Sequence, residues 1–548
     1  MAAGYHALAE LDCCRWDWAT ALEHLNHSLR FNTDNLRARN LKVIVLRKLK
    51  REAEAKLLLN ETLALDPLDW WARVLVDSHH KISCDLPTRL DLAHDYARAG
   101  FIAEAIELLA HAASQIRGEH FSLSPGERAG VRAGNQPILP DQSWGALPLV
   151  RYTLGWLEQK RGDDKAALKQ FKQAASIAPD YCFPARLEEI AILKAAMAAN
   201  PADARAPYYL GNLFYDRRRH QEAIQLWEKS AKLDAGFSIV WRNLGIGYFN
   251  IYGQPAKARA AYDRAFKANP DDDRLLYERD QLWKRLGEQP GKRLRELEQR
   301  LDLVQRRDDL TVELGALYNQ TGRHERALAL VNSRNFQPWE GGEGGPLGQW
   351  VRSILALGRT ALKHGSATRA GGHFSAALTA PKNLGEARHL LANQSDIHYW
   401  LGCSLAASGE ARLAREHWLA AATFKGDFQE MSVRAFSEMT YYSALAWKKL
   451  GNPAKATKLF RELLSYARQL QQAEARIDYF ATSLPTMLIF DDDLQRRQET
   501  AALFMQAQAL LGLGRKRTAE KLLAEVLARD PNHALAADIA IETELAKP

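Results

Sequence analysis

A helix-pair module that returns about every 34 residues constrains this chain more than any single motif does. It is plainest at Tyr208-Tyr209-Leu210-Gly211-Asn212-Leu213-Phe214, followed by Ala223, Trp227 and Ser230. Units begin at Ala2, Leu36, Leu86, Pro148, Ala204, Ser238, Asp308, Val351, Ser395, Ser437 and Thr500, and a degenerate unit near Asp272 brings the series to about a dozen. A module of this size cannot bury its apolar face alone, so neighbours must stack and share a core. The product is a long surface, and the expected function is binding rather than chemistry.

The positions within a unit divide the work. Numbered from each start, position 20 is Ala21, Ala55, Ala105, Ala167, Ala223, Ala258 (after a one-residue insertion), Ala327, Ala370, Ala414, Ala456 and Ala519. Position 8 is also small, as in Gly155, Gly211, Gly245, Gly315, Gly358 and Gly402, while position 24 carries Phe171, Trp227, Phe374, Trp418 and Phe460. Small residues let two helix axes approach, and large ones fill the space beside them. Glycine near position 15 (Gly100, Gly162, Gly322, Gly365, Gly409, Gly451, Gly514) permits the positive φ that ends a first helix. Proline near position 32 (Pro67, Pro179, Pro201, Pro270, Pro531) stops the second. All of these signals predict one all-α architecture of antiparallel helix pairs.

The pattern resembles the tetratricopeptide repeat over about three quarters of the chain. That resemblance implies a right-handed superhelix, an α-solenoid of about twelve helix pairs, with a concave inner face lined by the first helices. It implies no activity. A second resemblance rests on short strings: PWEGGEG (338–344), Asn383-Leu384-Gly385-Glu386, His398-Tyr399-Trp400-Leu401-Gly402 and YFATSLPTMLIF (479–490). These are similar to the C-terminal half of large bacterial proteins of unassigned function (DUF5107-like), in which a β-sandwich region resembling sugar-processing folds precedes the repeats. Here Met1 is followed almost at once by a repeat, so no carbohydrate activity is carried over.

The organisation read from the period is repeats over 2–116, an irregular inserted loop over 117–147, and central repeats over 148–334. A Trp/Gly/Glu-rich loop over 335–350, repeats over 351–472, an irregular segment over 473–499 and a last repeat with its cap over 500–548 complete it. The inserted loop is rich in Gly and Pro and reads as surface chain. Its segment Phe121–Gly134 looks like the product of a mobile repeat element translated within some bacterial genes, a tolerated insertion.

Candidate binding residues fall in two places. Tyr208, Asn212, Tyr215, Arg242, Ile246 and Phe249 make a mixed aromatic and polar inner face of the kind that holds an extended protein or peptide segment. Asn212, Asn243 and Arg242 also match part of the peptide-carboxylate clamp of chaperone-binding tetratricopeptide domains, but Tyr208 and Ile239 stand where that clamp has lysines. The second place is the glycine-rich loop, where Trp339, Glu340 and Glu343 are suited to stack on and hydrogen-bond a glycan, a peptide or a β-sandwich domain, or else form a wide turn whose Trp caps the repeat core and whose acids stay in water. The alternative reading of the chain, as the auxiliary part of a carbohydrate-active or glycan-binding protein, rests on that loop. Asp491, Asp492 and Asp493 lack the alternating ligands and central Gly of a calcium loop and read as caps of the following helix.

Other classes are disfavoured. No apolar run approaches the roughly 18 residues needed to span a bilayer, and the start lacks a secretory signal pattern, so a cytoplasmic protein is expected. The formal charge of +8 is spread thinly, with clusters such as Arg217-Arg218-Arg219 confined to turns, which speaks against nucleic-acid binding. Cys13, Cys14, Cys84, Cys182 and Cys403 show no CxxC or metal-ligand spacing and read as reduced. The chain has no HExxH, phosphate-binding loop or GxSxG motif, and the pair His79-His80 stands beside Lys81 without acidic partners. Neither a cofactor, a metal nor intrinsic catalysis is expected.

Overall fold

The computed structural model describes residues 1–76, 84–115, 146–339, 341–429, 432–476 and 488–542. Most of the 117–147 insertion, His79 to Lys81, Glu340 and 477–487 therefore lie outside the described residues. Among the described residues, regular structure is helical except for one antiparallel ladder between Asp427–Gln429 and Ser432–Arg434. Twelve helix pairs follow one another among the described residues, their first helices opening at Ala2, Leu36, Leu86, Leu147, Arg205, Ser238, Asp273, Asp308, Gly345, Ser395, Thr440 and Leu494. Two of these open more than a turn before the repeat pattern does, at Gly345 instead of Val351 and at Leu494 instead of Thr500. Both early starts have a local cause. Pro346 sits in the first turn of the one, and Asp493 caps the other by accepting from the Arg496 amide at 2.9 Å.

The pairs are held by a small residue of one helix against a large one of the other. All eleven position-20 alanines are buried. A Cβ added at Gly155, Gly211 or Gly402 would meet Phe171, Trp227 or Trp418 of the same pair at 2.5 Å, and Gly358 lies under Phe374 in the same way. Gly315 faces the smaller Val331 at 3.5 Å. In the pair that opens at Thr440, position 8 is Ala444, and Phe460 reaches instead to Gly512 of the next first helix. A helix interior loses about 1 kcal/mol to each glycine. Burying the opposing aromatic returns about 1.5–3 kcal/mol, so packing decides. Hydroxyls stitch the open ends: Ser28 Oγ donates to the Ala2 carbonyl at 2.9 Å and Ser230 Oγ to that of Ala204 at 2.6 Å.

The turn inside the pair is left-handed. All seven glycines at position 15 have φ between 75° and 91°. The same place is held by Trp16, Lys50 and Arg218 in three other pairs, at φ 65°, 60° and 59°. An L-residue there costs about 1–2 kcal/mol, a strain the flanking helices sustain.

The chain forms two compact units, Met1–Gly247 and Tyr248–Pro548. The first contains an unpaired helix, Glu188–Ala199, that the repeat pattern does not announce. The irregular stretch 177–187 before it is tied to the neighbouring first helices. Arg186 Nε bonds Asp91 at 2.5 Å and its Nη2 the Pro87 carbonyl at 3.0 Å, while Arg217 Nη2 donates to the Ala185 carbonyl at 2.9 Å.

Within the second unit the chain returns on itself. Phe490 is buried against Phe249 and Tyr262. Asn250 Nδ2 donates to the Ile489 carbonyl at 2.9 Å, and Arg285 reaches Asp492 at 3.0 Å. Farther along, Gln320 Nε2 donates to the Pro531 carbonyl at 3.0 Å and Arg352 pairs with Asp538 at 2.8 Å. Arg293, fully buried, is held by Asp280 at 2.5 Å and Glu313 at 2.9 Å and donates to Asn532 Oδ1 at 2.7 Å. These two carboxylates raise its pKa in spite of burial.

Two substitutions separate packing from turn strain. Gly211→Ala drives a methyl into Trp227 and lowers stability by about 1–3 kcal/mol, read as an earlier urea midpoint with helicity retained before the transition. Arg218→Gly relieves a left-handed L-residue and raises stability by about 0.5–1 kcal/mol in the same assay, since the strain removed exceeds the entropy the glycine adds to the unfolded chain.

Candidate interaction surface

The pair Arg205–Asp216 and His220–Leu233 is amphipathic at helical spacing, and its buried side includes Ala206, Tyr209, Leu210 and Leu213. Tyr208, on this helix, is also buried, its ring edge-on to Phe237 at 4.8 Å. Burial pushes its phenol pKa up, against the lowering effect of Asn212. Asn212 is the junction of two pairs: its Oδ1 accepts from Trp227 Nε1 at 3.0 Å and from Asn243 Nδ2 at 3.0 Å. One amide oxygen thus holds the second helix of its own pair and the first helix of the next.

Tyr215, one turn further, is half-buried with its ring 5.1 Å from Trp227 and 4.7 Å from His220. Arg242 and Ile246 are half-exposed one turn apart on the following first helix, and Arg242 Nη1 lies 3.3 Å from Asn243 Oδ1. The structure therefore brings Tyr208, Asn212 and Tyr215 together on one helix and links them through Asn243 to the helix of Arg242 and Ile246. Phe249 belongs to the second unit, where its ring meets Phe490 at 5.3 Å. Sequence reasoning did not single out Phe183 and Leu187, both 70% exposed on the stretch 177–187. That stretch lies off the repeat period, so no repeat position drew attention to it.

The glycine-rich loop is occupied by its own contacts. Trp339 is half-buried against the core around Phe336, Leu347 and Trp350, and its indole covers Gly342, where an added Cβ would collide with the ring. Glu343 Oε2 accepts from the Gly341 amide at 2.9 Å. Glu386, distant in sequence, accepts from the amides of Gly344 at 2.7 Å and Leu347 at 3.1 Å, a carboxylate at the positive end of the helix Gly345–Lys363. Asn383 completes the fastening: its carbonyl accepts from the Phe336 amide at 2.8 Å, and its Nδ2 donates to Val331 and Arg334 carbonyls, both at 3.0 Å. The strings PWEGGEG and Asn383-Leu384-Gly385-Glu386 are thus two halves of one packed corner.

The three aspartates separate in role. Asp493 is the helix cap, Asp492 pairs with Arg285 and Arg497, each at 3.0 Å, and the Asp491 amide donates to Asn250 Oδ1 at 3.0 Å. Among the described residues, no group of three His, Cys, Asp or Glu side chains is placed to hold a metal ion, and no helix is long and apolar enough to cross a membrane.

Comparison with known proteins agrees with the helix-pair geometry. Two family models, each described as a tetratricopeptide repeat, match residues 190–236 and 501–533. The first match includes the unpaired helix Glu188–Ala199 almost entirely and the pair built around Asn212. Among solved structures, the tetratricopeptide domain of P58(IPK) is 13% identical over 82% of this chain and 98% of its own, with a TM-score of 0.21. Yeast Tom70 is 11% identical over 75% of this chain and 89% of its own, with a TM-score of 0.23. YrrB, described as a tetratricopeptide protein with an unusual peptide-binding site, is 14% identical over 42% of this chain and 91% of its own, with a TM-score of 0.24. The chain is an all-α protein that carries tetratricopeptide repeats.

Proposed function

We propose that this chain is a non-catalytic scaffold that binds an extended segment of a protein partner across the first helices Arg205–Asp216 and Ser238–Asn250. The observation that carries the reading is the Asn212 junction. Its two hydrogen bonds, to Trp227 and Asn243, fix adjacent first helices side by side, so that Tyr215, Arg242 and Ile246 present an aromatic, a cationic and an aliphatic group on a preset frame. A surface whose support is fixed before binding loses little entropy when a partner docks. Tyr208 and Asn212 serve as that support, and the three half-exposed side chains serve as the contact.

Tetratricopeptide folds in general mediate protein–protein interactions and are typically non-catalytic, which agrees with this reading. The Trp339 loop is assigned to internal packing, because its indole lies on Gly342 and its Glu343 carboxylate closes on the Gly341 amide.

The triple variant Tyr215→Ser, Arg242→Glu, Ile246→Ser tests the reading, since none of the three is fully buried. With a photo-crosslinker placed at each position in turn, wild-type protein in native extract gives a discrete crosslinked partner, and the triple variant loses at least about tenfold of that partner in a pull-down, equivalent to roughly 1.4 kcal/mol. Circular dichroism and the thermal midpoint stay within a few degrees of wild type. Retention of the same partner at the same yield by the folded triple variant overturns the assignment.

A further inference from the structure

We propose that the second unit contains a receptor for an acidic helix, built on Arg352 and Arg359, and that the chain's own helix Ala534–Glu542 occupies it in cis. This concerns residues of Tyr248–Pro548 alone and is independent of the Asn212 face, so either reading can fail without the other.

Arg352 and Arg359 lie seven residues apart on the helix Gly345–Lys363, two turns along one face. Asp538 and Glu542 lie four apart on Ala534–Glu542 and likewise share a face. Arg352 Nε is 3.1 Å from both Asp538 oxygens and its Nη2 is 2.8 Å from Oδ1, while Arg359 Nε is 2.9 Å from Glu542 Oε1. The receptor is preset from behind. Arg352 Nη2 also donates to Gln320 Oε1 at 2.8 Å, while its bond to the Ala534 carbonyl at 3.2 Å is made to the occupant itself. Both guanidiniums are largely buried, with side chains 9% and 15% exposed. Two buried arginines that face one strip of chain make a site for carboxylates, because a planar guanidinium matches a carboxylate and a buried cation needs one.

The occupant is held on two sides by different forces. Ala536 and Ile539 pack with Leu503, Phe504, Leu523 and Val526 of the pair that precedes the helix. The side toward Arg352 and Arg359 is joined by ion pairs and hydrogen bonds, including the Gln320 to Pro531 and Arg293 to Asn532 contacts. Releasing the acidic side therefore leaves the apolar anchorage of the helix in place. Any helix that offers two carboxylates one turn apart reproduces what Asp538 and Glu542 supply. An intramolecular occupant competes by lowering the fraction of receptor open to a partner, so its removal raises the apparent affinity for an acidic helix. The partner chemistry is thus an amphipathic helix with Asp or Glu at i and i+4, drawn toward a chain of net charge +8.

The test uses the full chain and a fluorescent peptide with the sequence of residues 530–542, beside the same peptide with both Asp538 and Glu542 replaced by Ala. The host Asp538→Asn, Glu542→Gln loses the two resident carboxylates while keeping the size and shape of both side chains. It is expected to bind the acidic peptide at least about tenfold more tightly than wild type does, the ratio set by the fraction of receptor opened. The peptide without those two carboxylates does not share the gain, and adding Arg352→Glu to the host abolishes it. Equal binding of both peptides, or binding indifferent to Arg352→Glu, overturns the proposal. Should the amide host lose helicity, the swapped host Arg352→Asp, Asp538→Arg keeps the pair; it is expected to reject the acidic peptide and to bind one carrying Arg at position 538 after excess is added, and failure of that reversal is equally fatal. A dimer of the amide host in light scattering, with its helix exchanged between copies, replaces the partner helix by a second copy and overturns the assignment of partner.

Discussion

Everything regular in this protein depends on one contact, a small residue of a first helix beneath a large residue of the second. Gly211 under Trp227 and Gly358 under Phe374 set how closely two helices approach. That approach fixes how each pair offers its faces to the next. The tolerance of other positions shows that this contact dominates. The left-handed turn accepts Trp16, Lys50 and Arg218 at a cost of about 1–2 kcal/mol each. Position 20 is alanine in eleven of the twelve pairs, all but the degenerate one that opens at Asp273, because a larger side chain there meets a close-packed interior and the strain has no local outlet. Where position 8 is Ala444, the aromatic partner Phe460 turns to the glycine of the next helix, so the demand for a small neighbour is kept by changing which helix supplies it.

This hierarchy explains what was legible in the sequence. Spacings inside a pair are local, and local packing writes them as Gly, Ala, aromatic and Pro at fixed intervals. The openings at Ala2, Leu36, Leu86, Ser238, Asp308 and Ser395 follow from them directly. The early opening at Gly345 was not legible, because the carboxylate at its amino end comes from Glu386, and nothing in the repeat spacing pairs that residue with Gly344. The helix Glu188–Ala199 was missed for a related reason: it lies off the 34-residue period, so no small-and-large signature announces it. The candidate surface was legible as residue types and not as roles. Asn212 and Asn243 are polar residues at plausible binding positions, but their amides bond to each other. That leaves the proposed contact to Tyr215, Arg242 and Ile246, which the sequence placed on the same inner face as Tyr208 and Asn212 without separating contact from support.

The corner around Trp339 shows how a string that looks functional arises from packing alone. Its glycines serve an indole that lies on backbone, its Glu343 serves a turn amide, and its partner string supplies Glu386 to a helix end and Asn383 to two carbonyls. Trp339, Glu343, Asn383 and Glu386 are each held by another residue of the same corner. Breaks in a repeat period therefore divide into two kinds: those consumed by their own contacts, as here, and those such as 177–187 that fasten by a few hydrogen bonds and leave Phe183 and Leu187 in solvent.

The return of 488–542 onto earlier helices of its unit has a different origin from the rest of the fold. In a stack of repeats, stability is a sum of terms within and between neighbours, and no such term requires Arg352 to meet Asp538. Nor does the pair gain much by meeting, since the desolvation of two buried charges offsets most of their attraction. What the contact does supply is selectivity: an arginine so enclosed is strongly disfavoured without a carboxylate and indifferent to which chain provides it. A polar closure laid over apolar helix pairs is the part proposed to open while the pairs stand, because the residues that form it answer to the chemistry of exchange rather than to the demands of packing that shape the regular pairs.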